Sequence, residues 1–376
     1  MKRILFAVMV CIFVLSAHSV FSLSLLAGNG TKADPFIIST PIDLMLYGAT
    51  MYDDDTGNCP DIGESDGHNH FTSYGVLAND IDLSGIPDWQ PISGGCWYGR
   101  DLANFDGQGH TISGLTSTTG GIFGAMMGTV KNLNVDVVSA PWAIATGGVL
   151  YGYAGTYYNI HVTGNATTSG VIRHCAEDFM DYITVNLTGN VPAFTLGLYY
   201  CSVTKLANYG PGPGVGEAPF YYSDHCAITD SFSLGRSLLW SPYQCSIIHS
   251  YTAGRGWLAA SWSIDFPSLN NSFYNNETAN ESASYTWGEG QSTTWLQNQA
   301  NFEGRGWDFV YTWMMGPSGY PELIPPNWRA DVNIPVVDYV MATFDNDTYN
   351  AYFSCGIHDN EGNVSIYFQR EHGERD

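Results

Sequence analysis

The chain has 376 residues, and its 13 Lys and Arg against 36 Asp and Glu give a formal net charge of -23. That balance excludes recognition of nucleic acid or of an anionic membrane by charge, because both need clustered cations. Gly 42 and 14% aromatic residues favour turns and pleated surface over long helices, and the length suffices to bury a sizeable core.

Residues 1–22, MKRILFAVMVCIFVLSAHSVFS, begin with Lys2 and Arg3, continue as an apolar run and end on small residues. This is the pattern of a secretory signal peptide, so the expected localisation is secreted or cell surface. No later apolar stretch has the length of a transmembrane anchor. Export makes the cysteines candidates for disulfide bonds. Cys11 lies in the leader, which leaves Cys59, Cys96, Cys175, Cys201, Cys226, Cys245 and Cys355, an odd set. Sequons at Asn29, Asn165, Asn186, Asn270, Asn276, Asn280, Asn346 and Asn363 make the chain a candidate glycoprotein.

Residues 34–44, DPFIISTPIDL, open the mature fold, with Phe36-Ile37-Ile38 as a first strand. Residues 52–70, YDDDTGNCPDIGESDGHNH, show no hydrophobic period and read as a loop. Short apolar segments resume at 74–83, 89–92 and 104–115, the last two-stranded around the turn pairs Asp106-Gly107 and Gln108-Gly109. Residues 120–135, GGIFGAMMGTVKNLNV, then recur 27 positions on as GGVLYGYAGTYYNIHV. Gly120/Gly147, Gly121/Gly148, Gly128/Gly155, Thr129/Thr156, Asn132/Asn159 and Val135/Val162 are identical. A glycine-marked period of this size signals stacked units, each covering the apolar face its neighbour leaves bare.

Counting from Val130, the pattern of an apolar residue followed by others three and then four or five positions on returns at Tyr157, Met180, Leu198, Ile228, Ile247 and Leu269. The segments are short and rich in Val, Ile, Tyr, Phe and Thr, which suits strands rather than helical repeats. The expected fold class is all-β, a parallel β-helix (solenoid) over residues 23–329. Cys226 and Cys245 each sit two residues before a ladder position, so they fall in one column on successive coils and are expected to form a disulfide. Cys175–Cys201 and Cys59–Cys96 are weaker pairings, with Cys355 left over. Residues 290–325 carry one short helix at 293–301 and the aromatics Phe302, Trp307, Phe309, Trp313 and Tyr320. An open β-helix end exposes edges and core, so this part, about 290–329, reads as an aromatic C-terminal cap. Residues 330–376, with β-like runs at 336–344 and 364–368, form a small C-terminal β segment or tail.

The stretches DPFIISTPIDL, NDIDL, FDGQGHTISGL, GGIFGAMMGTVKNLNV and TTWLQNQANFEGRGWDFVYTWMMGPSGYPELI together resemble the GLUG-motif secreted and cell-surface proteins, from about residue 34 to 324. The resemblance implies a right-handed β-helix, filamentous-adhesin-like in architecture, with surface display, adhesion or envelope roles, and it brings no catalytic motif. The insertion at 52–70 and the poor repeats between 171 and 219 depart from that pattern.

No catalytic, cofactor-binding or metal-ligating residue is assigned. The acidic loop, with Asp53, Asp54, Asp55, Asp61, Glu64 and Asp66, offers oxygens for Ca²⁺ but lacks the spacing of known calcium loops, and a solvated loop is the commoner explanation. His68, His70 and Cys59 lack the second ligand pair zinc needs. His110 sits in a tight corner, where a ring packed on a turn is commoner than a catalytic one. Glu177, Asp178 and Asp181, with Asp224 and Asp230 nearby, are the one dense acidic group of the ladder, and hydrolysis of a glycoside needs two such carboxyls facing each other. Arg236 and Arg255 follow glycines one coil apart and could grip a carboxylate or a sugar face beside Trp240 and Trp257; bonding to turn carbonyls is the simpler role. The expected function is therefore non-enzymatic: adhesion, matrix or envelope structure, with an extracellular protein or glycan as partner and self-assembly possible. The alternatives are a carbohydrate-active enzyme, a polysaccharide hydrolase or lyase on the same scaffold, or a subunit of an extracellular assembly.

Overall fold

A computed structural model describes residues 26–49, 72–92, 102–124, 127–145, 155–168, 170–172, 175–176, 178–188, 198–210, 220, 223–235, 237–261, 267–280, 285–326, 336–345, 350–359 and 362–369. The leader at 1–22 and the acidic loop at 52–70 lie outside these residues. The chain divides into two compact units, Met1–Leu323 and Ile324–Asp376. Among the described residues no helix is long and apolar enough to cross a membrane.

The first unit begins with β1 (Phe36–Ile38), α1 (Pro41–Ala49), β2 (Thr72–Leu77), β3 (Ile81–Asp82), β4 (Leu102–Asp106), β5 (Thr111–Thr116), β6 (Met127–Ala140), β7 (Gly155–Ala166) and β8 (Cys175–Ala176). It continues with β9 (Phe179–Leu187), β10 (Leu198–Tyr199), β11 (Ser202–Asn208), β12 (Ser223–Asp224), β13 (Ala227–Thr229), β14 (Phe232–Ser233), β15 (Leu239–Trp240) and β16 (Pro242–Tyr243). Next come β17 (Ser246–Ile248), β18 (Tyr251–Thr252), β19 (Ala259–Ser261), β20 (Ser268–Asn270), β21 (Phe273–Asn275), β22 (Tyr285–Trp287) and β23 (Glu289–Gln291). The main sheet runs β1-β2-β4-β6-β7-β9-β11-β14-β18-β21-β23, with β13, β17 and β20 stacked beside β11. Every strand-to-strand pairing described in this sheet is parallel, and of the isolated bridges among the described residues only that of Ala27 to Ile37, on β1, is antiparallel. The fold is a parallel β-helix, as its repeats lead one to expect.

One column shows why the sequence folds this way. Phe105, Val130, Tyr157, Met180, Val203, Ile228, Ile247 and Leu269 pair in turn from rung to rung. All but the half-buried Leu269 are buried. Val203 takes the place expected of Leu198. Leu198 instead pairs with Cys175 and Ser223, in a separate wall of order β16-β12-β10-β8. The physical reason is the corner at Tyr200 (φ 57): Leu198 precedes the bend and Val203 follows it. A third wall holds an exception to the parallel rule, since β19 pairs parallel with β15 but antiparallel with β22.

Three residues past this column the inner line reads Leu133, Ile160, Ile183 and Leu206, and it then changes to buried Ser231, Ser250 and Ser272. The backbone N–H groups of Leu206, Ser231 and Ser250 donate to the hydroxyls of Ser231, Ser250 and Ser272 at 3.0, 3.1 and 3.1 Å. Each hydroxyl donates to the carbonyl two residues behind it, at 2.9, 2.8 and 2.9 Å. Hydroxyls are tolerated in this interior because the ladder satisfies them.

The cysteine column forms, but its disulfide does not. The pairs Ser202↔Ala227↔Ser246 place Cys201, Cys226 and Cys245 on consecutive rungs, and all three are buried thiols. In-register parallel neighbours hold their Cα–Cβ bonds parallel at about 4.8 Å, whereas a disulfide draws Cβ atoms to about 3.5–4.5 Å. This corrects the expected Cys226–Cys245 bond and the weaker Cys175–Cys201 pairing; Cys59 and Cys96 lie outside the described residues.

Two helical regions refine the expectation. The helix α1 starts at Thr40, whose hydroxyl accepts from the Asp43 N–H at 3.1 Å while Asp43 accepts from the Thr40 N–H at 2.9 Å. That reciprocal cap with Pro41 in the first turn is a helix-start signal. Leu44 and Tyr47 are fully buried, and the Tyr47 hydroxyl donates to the carbonyls of Ser73 and Asn104. At the other end the single expected helix is two, α2 (Thr293–Leu296) and α3 (Gln299–Glu303), capped by Ser292 and Asn298. A hairpin of β24 (Trp313–Met315) and β25 (Pro321–Leu323) follows.

This aromatic segment does not merely close the last rung; it lies along the side of several. Ala207, Phe232, Tyr251 and Phe273 are in register on successive rungs and form one buried cluster with Leu296, Phe302, Trp307, Trp313 and Leu323. The lateral position follows from the sequence of the rungs, which turn an apolar column away from the β-helix interior and must cover it. The second unit, described by itself, is a three-stranded antiparallel sheet of β26 (Val336–Asp345), β27 (Asn350–Asp359) and β28 (Gly362–Gln369).

Candidate functional site

The site is built on a corner. Two residues after each ladder position the chain turns in the left-handed region, at Asn132, Asn159, Tyr182, Lys205, Asp230, His249 and Asn271, with φ between 45 and 60. The pairings on either side keep these seven in one column. Asparagine fits such a corner because its short polar side chain tolerates the left-handed conformation. Tyr, Lys, Asp and His put chemistry there instead, at the rung spacing of about 4.8 Å.

At the N-terminal end the corner is an amide relay. The Asn159 amide donates to Asn132 Oδ1 at 2.9 Å, and the Asn132 amide donates to Asp106 Oδ1 at 3.1 Å. His161 Nε2 lies 3.1 Å from Asn159 Oδ1, and its ring meets Tyr182 edge-on. Burial holds the His161 imidazole below its ordinary pKa.

Toward the C-terminal end the corner gathers ionisable groups. Lys205 Nζ lies 3.5 Å from Asp181 Oδ1, and His249 Nδ1 lies 3.7 Å from Asp230 Oδ1. The Trp313 indole donates to that same Asp230 oxygen at 3.3 Å. Trp307 donates to the Asn271 carbonyl at 3.0 Å and packs against the His249 ring. Asp308 closes the group from the lateral segment, its Oδ1 accepting the N–H groups of Val310 and Tyr311 at 2.9 and 3.0 Å. Burial pushes the Asp230 carboxyl above the usual carboxylate range; the Trp313 hydrogen bond, His249 and Lys205 pull it back, and the Asp308 charge raises it again. A carboxyl beside an imidazole and an ammonium can bind hydroxyls and exchange protons.

The carboxylates singled out in the sequence do not converge. Asp178 is buried and accepts the Gly155 N–H. Asp181 belongs to the column of Thr204 and Thr229, one residue from the corner. Asp224 is paired with its neighbour His225 on the other side of the cysteine column. Asp230 lies in the corner column itself, Asp181 reaches the group through Lys205, and Glu177 lies outside the described residues. Lys205 shows that a cation does accompany the acids, and His249 stands beside Asp230.

His110 sits in its turn as expected, although its Nδ1 meets the Asp80 carboxylate of the preceding rung at 3.2 Å rather than a carbonyl. Arg255 is exposed and its N–H donates to the Gly235 carbonyl at 2.9 Å, which puts the two Gly-Arg corners one rung apart; Arg236 lies outside the described residues. Arg305 forms a two-point ion pair with Glu289 at 2.7 and 3.1 Å. Among the described residues no three His, Cys, Asp or Glu side chains converge on a metal position. The acidic loop and its Ca²⁺ candidates fall outside them.

Lys205, His249 and Asp308 were not among the residues singled out in the sequence, and Trp313 was named only as part of the aromatic cap. For Lys205 and His249 the signal of the column was present, since Asn132 and Asn159 are identical in the repeat and each stands two residues past a ladder position. Placing the rung at Leu198 hid Lys205. Searches of protein-family models, curated proteins and solved structures return no match to the chain.

Proposed function

We propose that the chain is a non-enzymatic, secreted or cell-surface β-helix protein of adhesion, matrix or envelope structure, in line with its resemblance to the GLUG-motif proteins, and that it holds an extended glycan along the left-handed corner. The observation that carries this reading is the corner column itself: Asn132, Asn159, Tyr182, Lys205, Asp230, His249 and Asn271 repeat at strand spacing along one edge. A periodic edge of amides, hydroxyls and carboxylates matches a ligand that is itself periodic and rich in hydroxyls. The net charge of -23 disfavours uronans and favours neutral or amino sugars. Exposed sequon asparagines at 29, 165, 186, 270, 276 and 280 suit an exported chain. A glycan array with the full chain tests it, comparing Lys205→Ala, Asp230→Ala and His249→Ala. A neutral or amino-sugar ligand whose binding falls about tenfold or more in the variants supports the reading, and binding indifferent to all three contradicts it.

One observation favours a second reading, a polysaccharide hydrolase or lyase: the Asp230 carboxyl stands beside His249, and burial raises its pKa in the direction a general acid needs. Release of new reducing ends from neutral polysaccharides, abolished by Asp230→Asn, would support it.

A further inference from the structure

We propose that the Cys201–Cys226–Cys245 column binds a two-coordinate, thiolate-seeking cation of the Cu(I), Ag(I) and Hg(II) class. The three thiols stand in line on consecutive rungs and are each about 2% exposed. Parallel neighbours repeat at about 4.8 Å. Two metal–sulfur bonds of about 2.3 Å end to end span nearly that distance, so a linear S–M–S unit fits between adjacent rungs with little backbone movement. Trigonal and tetrahedral sites need sulfurs around a point, and the described residues offer none. Soft sulfur ligands select soft d¹⁰ ions.

Each thiol now donates to the carbonyl two residues behind it: Cys201 to Tyr199 at 3.4 Å, Cys226 to Asp224 at 3.3 Å and Cys245 to Tyr243 at 3.4 Å. Binding forms two M–S bonds and breaks two S–H bonds, and both protons leave to solvent, so affinity rises with pH. Cys201 has the buried Asp178 one rung before it, because Phe179 pairs with Ser202. A bis-thiolate of a monovalent ion carries a negative charge, so Cys226–Cys245 is the preferred pair.

The central thiol is common to both adjacent pairs, whereas Cys201 and Cys245 lie two rungs apart. Serine should replace cysteine here without loss of fold, because Ser231, Ser250 and Ser272 follow left-handed corners in the same way and make the same bond to the carbonyl two residues back. The test titrates the reduced full chain with HgCl₂, and with Cu(I) under argon, reading thiolate-to-metal charge-transfer absorption and bound metal by mass. Cys226→Ser and Cys226→Ala should each bind one equivalent less than the parent with unchanged near-ultraviolet dichroism. Cys201→Ser should bind as the parent does, and Cys245→Ser should retain the equivalent more weakly. Equal uptake by the parent and the Cys226 variants would overturn the proposal, as would equal loss in all three serine variants, which would mean a three-thiol centre.

Discussion

At the scale of single residues the molecule is governed by its left-handed corners. The strain there is affordable where the side chain is asparagine and less so elsewhere. Gln244, exposed with φ 46, is a corner residue with only a weak exposed contact to Tyr243. Gln244→Asn is therefore expected to stabilise the fold by about 0.5–1 kcal/mol, read as a higher midpoint in urea with unchanged slope. Titration supplies a second expectation. Burial holds the folded His161 below the ordinary value of 6.5 at which its unfolded counterpart charges, so its contribution is present above that pH and lost as pH falls below it. Asp230 works oppositely: its folded carboxyl is raised, so stability from that group is fullest below the ordinary carboxylate pKa of 3.8 and declines as pH rises through the folded value. His161→Gln should flatten the loss of thermal stability between pH 7 and 5.5, and Asp230→Asn should raise stability at pH 7. An unaltered slope in His161→Gln would show that its burial is not felt in the fold.

Elements depend on register more than on propensity. Phe232 is fully buried between the β-helix and the lateral segment, stacked on Tyr251 and tilted against Trp313. Phe232→Ala should cost about 3–5 kcal/mol and open the 293–323 segment to limited proteolysis before the core strands; cleavage elsewhere first would mean that the segment is not held by this column. The ladder was legible because inner positions must be apolar and recur once per rung, and its positions at Val130, Tyr157, Met180, Ile228, Ile247 and Leu269 follow from that. Leu198 misled because a second apolar strand precedes the corner at Tyr200, and apolar spacing cannot tell the wall before a bend from the wall after it. The corner chemistry was half legible: the repeated Asn132 and Asn159 mark it, but nothing local in Lys205 or His249 says that they share its column. Asp308 and Trp313 reach it from more than fifty residues away in sequence, which only folding reveals. The helix α1 was readable from Thr40, Pro41 and Asp43, whose capping pattern lay beneath the strand signal of DPFIIST.

At the scale of the whole molecule, charge and stacking set the behaviour. A net charge of -23 repels itself, and salt within the physiological range screens that repulsion. Raising ionic strength from about 0.01 to 0.15 M should therefore raise the melting temperature, and a fall would mean that ion pairs such as Lys205–Asp181 outweigh the repulsion. The stacking itself is the deeper claim. It makes the corner a straight edge, the cysteines a straight file and the lateral segment a cover over several rungs. A crystal structure of the chain tests it most directly. The expected result is a parallel column of Val130, Tyr157, Met180, Val203, Ile228, Ile247 and Leu269 at about 4.8 Å per step, with Lys205, Asp230 and His249 successive in the corner two residues on. Antiparallel pairing among these strands, or Leu198 in place of Val203, would contradict it.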